Sequence, residues 1–199
     1  MAISDYFSLL IDAGEYAGRN DIANVFPRFV GLAEAKLNRI LRVGHMETSG
    51  TVVLTDGNGD LPEDFLEARL ITTSDGRGLN AWSMGELNRR YASYGGVPAG
   101  YAVVGNVIRV RPTTSGSLTL DYYAKIPPLT AANPTNWLLE LAPDVYLYAL
   151  CEEIAIWERD ANKVAASKSL KDTAILGLEL MDERSRWGNA QVVVSGPTP

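Results

Sequence analysis

"PDVYLYALCEEIAIWERD", residues 143–160, has the pattern of a helix that is apolar on most of its faces. Pro143 suits the first turn of that helix, where the N–H group that proline lacks would have no partner within the helix. A helix that is apolar on nearly every side is normally buried among other elements. The segment therefore predicts a central helix with other helices packed around it.

Helical periodicity continues after this segment. A second helix is predicted from about Asn162 to Trp187, with Lys168, Lys171, Glu179 and Glu183 outside its apolar stripe. The residues predicted to form that stripe are Val164, Leu170, Ala174, Leu178 and Met181. We expect this helix to pack against the central one.

Residues 1–44 predict two more helices. Ser4 is expected to cap the first, and Gly18 to end it. Apolar residues recur at three- and four-residue steps from Ile22 to Leu41, which predicts the second helix, with Pro27 near its start and Gly44 as its stop. Helices from both ends of the chain would thus form one bundle.

Between these regions the apolar period changes to two. Short β-branched and aromatic segments such as "TVVLT" (51–55), "NVIRVRP" (106–112) and "SLTLDYYAK" (117–125) alternate with glycine-bearing turns. A tight hairpin is predicted at Gly105 and Asn106, and Ser83 with Glu86 has capping-box spacing for a short helix through Arg90. The predicted class is α+β: a helical bundle with a small antiparallel β domain, a sandwich or partial barrel, inserted in it.

The expected domain boundaries follow from these changes of period. Residues 1–45 and 137–187 form the bundle, residues 46–136 form the β domain, and residues 188–199 form an extended tail. The tail carries no charge and has one β-prone triplet, which consists of Val192, Val193 and Val194. No internal repeat or low-complexity tract interrupts this arrangement.

Composition excludes several classes of protein. The hydrophobic fraction of 46% supports a sizeable core, and the net charge of −6 disfavours sequence-specific DNA binding, which relies on basic patches. The chain has neither an apolar run of about eighteen residues nor a secretory signal pattern at its start, so we expect a soluble, unsecreted protein. The single cysteine, Cys151, is expected to be a buried thiol.

"TDGNGDLPEDFLE", residues 55–67, raises the possibility of a calcium site. Asp56, Asn58, Asp60, Asp64 and Glu67 match ligand positions of an EF-hand loop. Against that interpretation, Leu61 occupies the position that needs glycine, and the segment before the loop is a strand. Asp-Gly and Asn-Gly steps more often form tight turns, so the turn is the preferred prediction and a calcium-dependent module is the alternative.

Catalytic groups are sparse. His45 is the only histidine and is interpreted as a helix C-terminal capping residue; pairing it with Cys151 would require activation of a buried thiol. Carboxylates in two places, Glu63, Asp64 and Glu67, and Glu152 with Glu153, leave a hydrolase as a second alternative. The structural interpretation is that the first group begins a turn and that Glu152 and Glu153 lie on the solvent edge of their helix. We expect no enzyme activity, no metal and no cofactor.

A series of short motifs resembles the head-to-tail adaptor family of tailed bacteriophages, also called head-completion or portal connector proteins. The resemblance covers about residues 20–187 and includes "LPEDFLEARLI", "GVPAGYAVVGNVIRVRP", "LDYYAKIPPL" and "NPTNWLLELAPDVYLYALCEEIA". The matching residues are Leu61, Pro62, Asp64, Phe65, Pro98, Tyr101, Tyr122, Tyr123, Asn136, Trp137, Leu138, Pro143 and Tyr146. In this family "LPEDFLE" is the turn into the next strand, which implies that Leu61 and Phe65 anchor it in the core, that Pro62 fixes the backbone and that the acids stay in water.

The resemblance implies a structural virion protein at the head–tail junction, present in the host cytoplasm before assembly. Such adaptors form a ring, typically a dodecamer, beneath the portal protein, extend the channel for double-stranded DNA, and present the surface on which the tail or nozzle protein is built. Aromatic residues that suit protein interfaces include Tyr91, Tyr94, Tyr101, Trp137, Tyr146 and Trp187. No membrane partner is implied.

The tail is interpreted from its chemistry alone. β-branched residues without a strand beside them in sequence can add to the sheet edge or groove of a partner. We therefore predict that five residues dock on the portal or on a neighbouring adaptor subunit, and we call them the docking set: Trp187, Gln191, Val192, Val193 and Val194. Fraying of a chain end is the alternative.

Overall fold

The computed structural model describes residues 3–19, 21–91 and 95–187. The chain divides into two compact units. The helical unit comprises the described residues up to His45 and from Ile126 onwards, and the β unit comprises Met46–Lys125. The predicted α+β class, with helices drawn from both ends of the chain, is confirmed.

The elements alternate between the two units along the chain. The helices within the described ranges are α1 (Tyr6–Ala17), α2 (Phe26–Ile40), α3 (Met84–Arg90), α4 (Trp137–Leu141), α5 (Pro143–Glu158) and α6 (Ala161–Trp187). The strands there are β1 (Glu47–Leu54), β2 (Asn58–Asp60), β3 (Phe65–Thr73), β4 (Asn80–Ala81), β5 (Gly100–Val104), β6 (Val107–Arg111) and β7 (Gly116–Ala124). The sequence patterns did not predict the short elements β2, β4 and α4.

The N-terminal helices differ from the prediction at their ends. Asp5, not Ser4, caps α1: its carboxylate accepts the Ser8 N–H at 2.7 Å, and the Ser8 hydroxyl oxygen accepts the Asp5 N–H at 3.0 Å. Gly18 ends α1 in the left-handed region, as predicted, at φ 71°.

α2 is shorter at both ends than its apolar pattern. It begins at Phe26, with Pro27 in its first turn as predicted. It ends before Gly44, because Leu41 adopts extended backbone, and Gly44 lies in a short 3-10 helix, Gly44–Met46. Apolar residues beyond a helix's ends can still contribute to the core, and Leu41 and Val43 are both buried. The periodic pattern therefore overestimated the length of this helix.

α5 lies at the centre of the helical unit, as its sequence predicted. α1, α2, α4 and α6 all pack against it. Val145, Tyr146, Leu150 and Ile154 have no exposed surface, and Pro143 occupies the first turn. Burial of such large side chains contributes about 1.5–3 kcal/mol each to the free energy of unfolding.

The face of α6 that packs on α5 matches the predicted stripe only in part. Leu178 is buried and Val164 and Ala174 are half-buried, but Leu170 and Met181 from that stripe are exposed. The other buried residues of α6 are Ser167, Lys171 and Ile175. Lys171, which was predicted outside the stripe, lies on the buried face, where its ammonium group forms an ion pair with Glu152 of α5.

A buried hydrogen-bond network holds the segment on which the chain returns to the helical unit. The Glu34 carboxylate on α2 accepts the Leu129 N–H at 2.7 Å and the Tyr146 hydroxyl at 2.8 Å. The Asn136 side-chain amide donates to the Tyr146 hydroxyl oxygen and to the Pro127 carbonyl, both at 2.8 Å, and its carbonyl caps α4. These bonds connect α2, α4 and α5 with residues 126–136.

This network explains a correction to the domain boundaries. The sequence analysis placed the end of the β domain at residue 136, but residues 126–136 belong with the helices. Ile126 and Leu129 are buried, and the Ile126 N–H donates to the Asn38 side chain of α2 at 2.8 Å. Loop composition alone did not reveal this attachment, because its partners are far away in sequence.

The β unit consists of two sheets around one core. The strand orders are β1-β7-β3 and β2-β6-β5-β4, with antiparallel pairing except between β4 and β5. Ile71 and Leu120 from the first sheet join Ile108 and Val110 from the second in a shared buried cluster, which makes the unit a sandwich. The predicted β5–β6 hairpin is present, with Gly105 at φ 63°, and Ser83 caps α3 as predicted.

Glu34→Gln is expected to change how stability depends on pH. Burial, partly offset by the bonds from Leu129 and Tyr146, raises the pKa of Glu34 above its ordinary 4.5. Between the unfolded and folded pKa values the folded state binds more protons, so the contribution of Glu34 to the free energy of unfolding falls as pH rises. Glutamine keeps the acceptor oxygen without titrating.

Urea denaturation followed by helical circular dichroism, from the ordinary carboxyl pKa to neutral pH, measures this difference. The stability of the wild type relative to E34Q should fall as pH rises. A wild type that gains stability relative to E34Q with rising pH would contradict the raised pKa.

Candidate assembly surfaces

Glu152 and Glu153 are not on a solvent edge, which corrects the sequence interpretation. Both are buried on α5. The Lys36 ammonium group of α2 lies 2.5 Å from Glu153 and 3.3 Å from Glu152, and Lys171 of α6 pairs with Glu152. Burial opposes ionisation of Glu152, but the hydrogen bond and charge of Lys171, with Lys36, outweigh it and lower its pKa. These carboxylates join three helices as ion pairs.

The Asp-Gly step of the calcium-like segment forms a tight turn between β1 and β2. Asp56 and Gly57 both have positive φ, 48° and 72°, and Thr55 and Asn58 exchange backbone hydrogen bonds of 2.8 and 3.0 Å across the turn. Such a turn matches the twist of a hairpin. The segment is therefore flanked by strands on both sides, and Leu61, at the position where a calcium loop needs glycine, is buried in the sandwich core.

"LPEDFLE" fastens β3 to β7 in the structure. Phe65 packs against the core with its ring centroid 5.7 Å from that of Tyr122, and the Tyr122 hydroxyl donates to the Asp64 carboxylate at 3.0 Å. The Asp64 carbonyl also accepts the Lys125 N–H. Burial, followed by the bond to Asp64, raises the pKa of Tyr122 to about 12. Asp64 thus has a structural contact, and Pro62 lies half-buried beside it.

The other residues that carried the family resemblance are distributed over both units. In the β unit, Pro98 and Tyr101 are half-buried around the start of β5, and buried Tyr123 lies beneath the Arg69 guanidinium at 5.4 Å. In the helical unit, Leu138 is fully buried. Within each unit their burial and contacts fit structural roles.

His45 does not cap a helix, in contrast to the prediction. Its ring stacks on Trp137 at the start of α4, with centroids 5.6 Å apart and an interplanar angle of 18°. α2 has already ended at Ile40 and is capped at Leu41, so His45 lies beyond the C-terminus of that helix. The structure gives His45 a packing contact in the helical unit.

Residues with catalytic potential are used in packing. Cys151 is buried as predicted, and burial raises the pKa of its thiol to about 12, which keeps it protonated at neutral pH. Among the described residues, histidine, cysteine and carboxylate side chains form no group of three or more placed to hold a metal ion. Within the same residues, every helix is too short or too polar to cross a membrane.

The most conspicuous surface feature is apolar. The helical unit exposes large hydrophobic side chains on most of its helices, although α5 is enclosed over most of its length. These residues are Phe7, Ile11, Tyr16, Leu32, Ile40, Leu141, Ile156, Trp157, Leu170, Leu176, Leu180, Met181 and Trp187. Exposed apolar residues distributed in this way mark candidate surfaces for protein partners. Sequence reasoning placed Leu170, Met181 and Ile40 on apolar stripes, so it did not predict their exposure.

The aromatic residues predicted for interfaces differ in how far they are exposed. Tyr146 is fully buried and Trp137 is half-buried, so both belong to the packing of the helical unit. Trp187 is 67% exposed at the end of α6. Tyr94 lies outside the described residues.

Of the predicted docking set, the structure describes only Trp187. Trp187 ends α6 and is available for contact. The remaining members of the set lie outside the described residues, and their docking stays a prediction: Gln191, Val192, Val193 and Val194.

Comparison with known proteins gives one result. The model of the family described as SU10 adaptor protein matches residues 4–194, which cover both units and continue into the tail. No protein with a curated description matches the chain.

Replacing Asp56 and Asp60 with asparagine is expected to leave the melting temperature unchanged, with and without calcium. Asparagine tolerates the positive φ of position 56, and Asp60 is exposed on β2. Differential scanning calorimetry measures the melting temperature, and isothermal titration calorimetry measures calcium binding. Tight, stoichiometric calcium binding by the wild type that is lost in the double variant would overturn the turn interpretation.

Gly57→Ala provides a contrasting variant at the same turn. Alanine there would adopt left-handed backbone at a cost of about 1–2 kcal/mol. Its Cβ would also lie 2.9 Å from the Thr113 methyl and 3.0 Å from the Val110 carbonyl. A lowered melting temperature in this variant would show that the measurement detects damage to the turn.

Proposed function

The chain belongs to the SU10 adaptor protein family, and from this membership we propose that it forms a ring beneath the portal at the capsid vertex. As a phage adaptor it is a structural component of the virion. In our proposal the ring, a dodecamer, extends the DNA channel of the portal and presents the surface on which the tail or nozzle protein assembles. The observation that carries this proposal is the family match over residues 4–194.

The use of charged groups in the helical unit supports a structural role. Glu34, Glu152, Glu153 and Lys171 are all buried, and each has a hydrogen-bond or ion-pair partner on another helix or on the returning loop. Breaking a buried ion pair by removing one partner typically costs about 3–5 kcal/mol. Groups with this function hold the bundle in one arrangement, as a ring subunit requires.

The exposed apolar side chains support self-assembly. α5 obtains its burial from α1, α2, α4 and α6, so the core is closed within one chain. Phe7, Ile11, Leu176 and Leu180 nevertheless remain exposed on α1 and α6. Side chains of this kind gain burial when subunits meet, and closed rings satisfy such contacts on every subunit.

The charge of the chain suits a channel through which DNA slides. The net charge of −6 repels DNA at long range, and counterion release gives tight binding only where basic groups contact phosphates. We propose that acidic and neutral groups line the lumen. DNA would then pass without specific binding.

Electron microscopy of the protein mixed with portal rings of the same phage tests the proposed function. We expect one adaptor ring on the face of the portal that receives the tail, with the same number of subunits as the portal. Portal rings that stay bare at adaptor concentrations well above those of the portal would refute the proposal.

Duplex DNA binding provides an independent test of the channel. The isolated protein should show no tight binding to double-stranded DNA in fluorescence anisotropy at physiological salt. Submicromolar affinity with a steep dependence on salt concentration would instead indicate a basic binding surface and contradict a lumen that lets DNA slide.

Deletion of residues 188–199 tests the proposed docking on the portal or on a neighbouring subunit, because it removes Gln191, Val192, Val193 and Val194 and keeps only Trp187 of the docking set. The deleted variant should keep its helical circular dichroism but bind portal rings at least about tenfold more weakly, since the β-branched segment would no longer add to a partner. Glu140→Gln, a change at an exposed residue of α4, provides a control with the tail intact. Unchanged assembly without these residues would show that the tail is dispensable.

A further inference from the structure

α2 carries an exposed stripe of apolar and basic residues. Arg28, Leu32, Ala35 and Arg39 follow one another at steps of four, three and four residues, so they lie on one side of the helix, and all four are exposed. Leu32 at its centre is 47% exposed. The buried residues of α2 lie on the opposite side, and the only acid of this helix, Glu34, is buried with them. We call these four residues the basic stripe.

α6 carries a stripe with the same spacing and the opposite charge. Asp172, Leu176, Glu179 and Glu183 repeat the same steps and are all exposed. Leu176 is 55% exposed, and Leu180 beside it is 45% exposed. We call this set, with Leu180, the acidic stripe. Lys168 and Arg184 lie at its margins, whereas Lys171, Ile175 and Leu178 face α5.

Neither stripe is needed to complete the fold. The basic stripe lies opposite the buried residues of α2, and the acidic stripe lies on the flank of α6 beside its buried residues. Their leucines are exposed and contribute little to the core. Among the described residues, Glu179 and Glu183 form no ion pair, and Arg39 bonds only to the Ala35 carbonyl of its own helix. A single exposed leucine is ordinary, but leucines between charges of one sign on two helices form a pattern that favours association.

The two stripes are complementary in either orientation. In a parallel contact Arg28 meets Asp172 and Arg39 meets Glu183, and in an antiparallel contact these partners exchange. The leucines meet near the centre in both cases, as apolar residues do between helices flanked by opposite charges. Each stripe would repel a second copy of itself, which disfavours a symmetric dimer and favours a head-to-tail contact.

We propose that the basic stripe of one copy docks on the acidic stripe of a second copy of this chain. Because every subunit then keeps one free stripe of each kind, repetition of the contact adds subunits until the ring closes. The inference rests on the proposed function and identifies the surfaces through which neighbouring subunits meet.

Charge reversal tests the contact with three variants. The first combines Arg28→Glu and Arg39→Glu, the second combines Asp172→Lys and Glu183→Lys, and the third combines all four changes and so restores the wild-type net charge. The first two should each lose ring assembly on portals by at least about tenfold, because like charges meet at the contact. The third should recover it.

A mixture of the first two variants gives the sharpest prediction. The reversed α2 stripe of the first variant complements the reversed α6 stripe of the second, and their unchanged stripes complement each other. The mixture should therefore form rings in which the variants alternate, although neither forms rings alone. Glu15→Lys with Glu140→Lys changes two exposed acids outside the stripes by the same charge as the second variant and should assemble normally. Circular dichroism confirms that each variant is folded.

A second measurement separates this inference from the proposed function. Sedimentation of the mixed variants without portal, at low salt and high concentration, should show complexes that the separate variants lack. If wild-type rings form and the reversals have no effect, the stripes are not the contact, although the function stands. If portals stay bare but the mixture associates, the stripe contact stands and the function fails. If neither associates, both are overturned.

Discussion

The helical unit depends on the buried carboxylate of Glu34. The chain leaves this unit after His45 and returns at Ile126. The returning segment must therefore pack against α2, which lies far before it in sequence. Glu34 fixes this packing because its carboxylate accepts hydrogen bonds from the Leu129 N–H and the Tyr146 hydroxyl. The Asn136 side-chain amide donates a further hydrogen bond to the Tyr146 hydroxyl oxygen. A polar group in this position specifies one arrangement, because any shift would leave a buried acceptor or donor without a partner. The positions of α4 and α5 follow from it.

Local patterns were sufficient where backbone conformation or apolar periodicity controls the structure. The central α5 followed from its apolar faces and Pro143, and the β5–β6 hairpin and the end of α1 followed from Gly105 and Gly18. Failures occurred where charged side chains are buried. Lys171, Glu152 and Glu153 were assigned to solvent because charged residues usually lie there, yet each is buried beside an opposite charge on another helix. Since those partners are distant in sequence, no local pattern could reveal them.

The candidate functional features also divide into those that local sequence chemistry predicts and those that it does not. The calcium-like spacing was resolved by local chemistry, since Asp-Gly favours the tight turn that the structure contains and Leu61 belongs to the core. The assembly surfaces could not be predicted in this way. Leu170 and Leu178 were both predicted on the apolar stripe of α6, yet Leu170 is exposed and Leu178 is buried. The buried face of α6 carries the Lys171–Glu152 pair, whose two partners are distant in sequence, so local patterns do not reveal which surface remains available to a second subunit.

The insertion of the β unit between the two parts of the helical unit imposes an order on folding during translation. Residues 46–125 form a continuous segment with its own core, so this part can fold as soon as it leaves the ribosome. α1 and α2 emerge earlier but must wait for α5, and until then Phe26, Phe29 and Leu37 have no central helix to cover them. Contacts between distant segments form slowly, and apolar surface left open in the meantime is prone to aggregation. The nascent N-terminal helices are therefore the part of this chain with the greatest need for a chaperone.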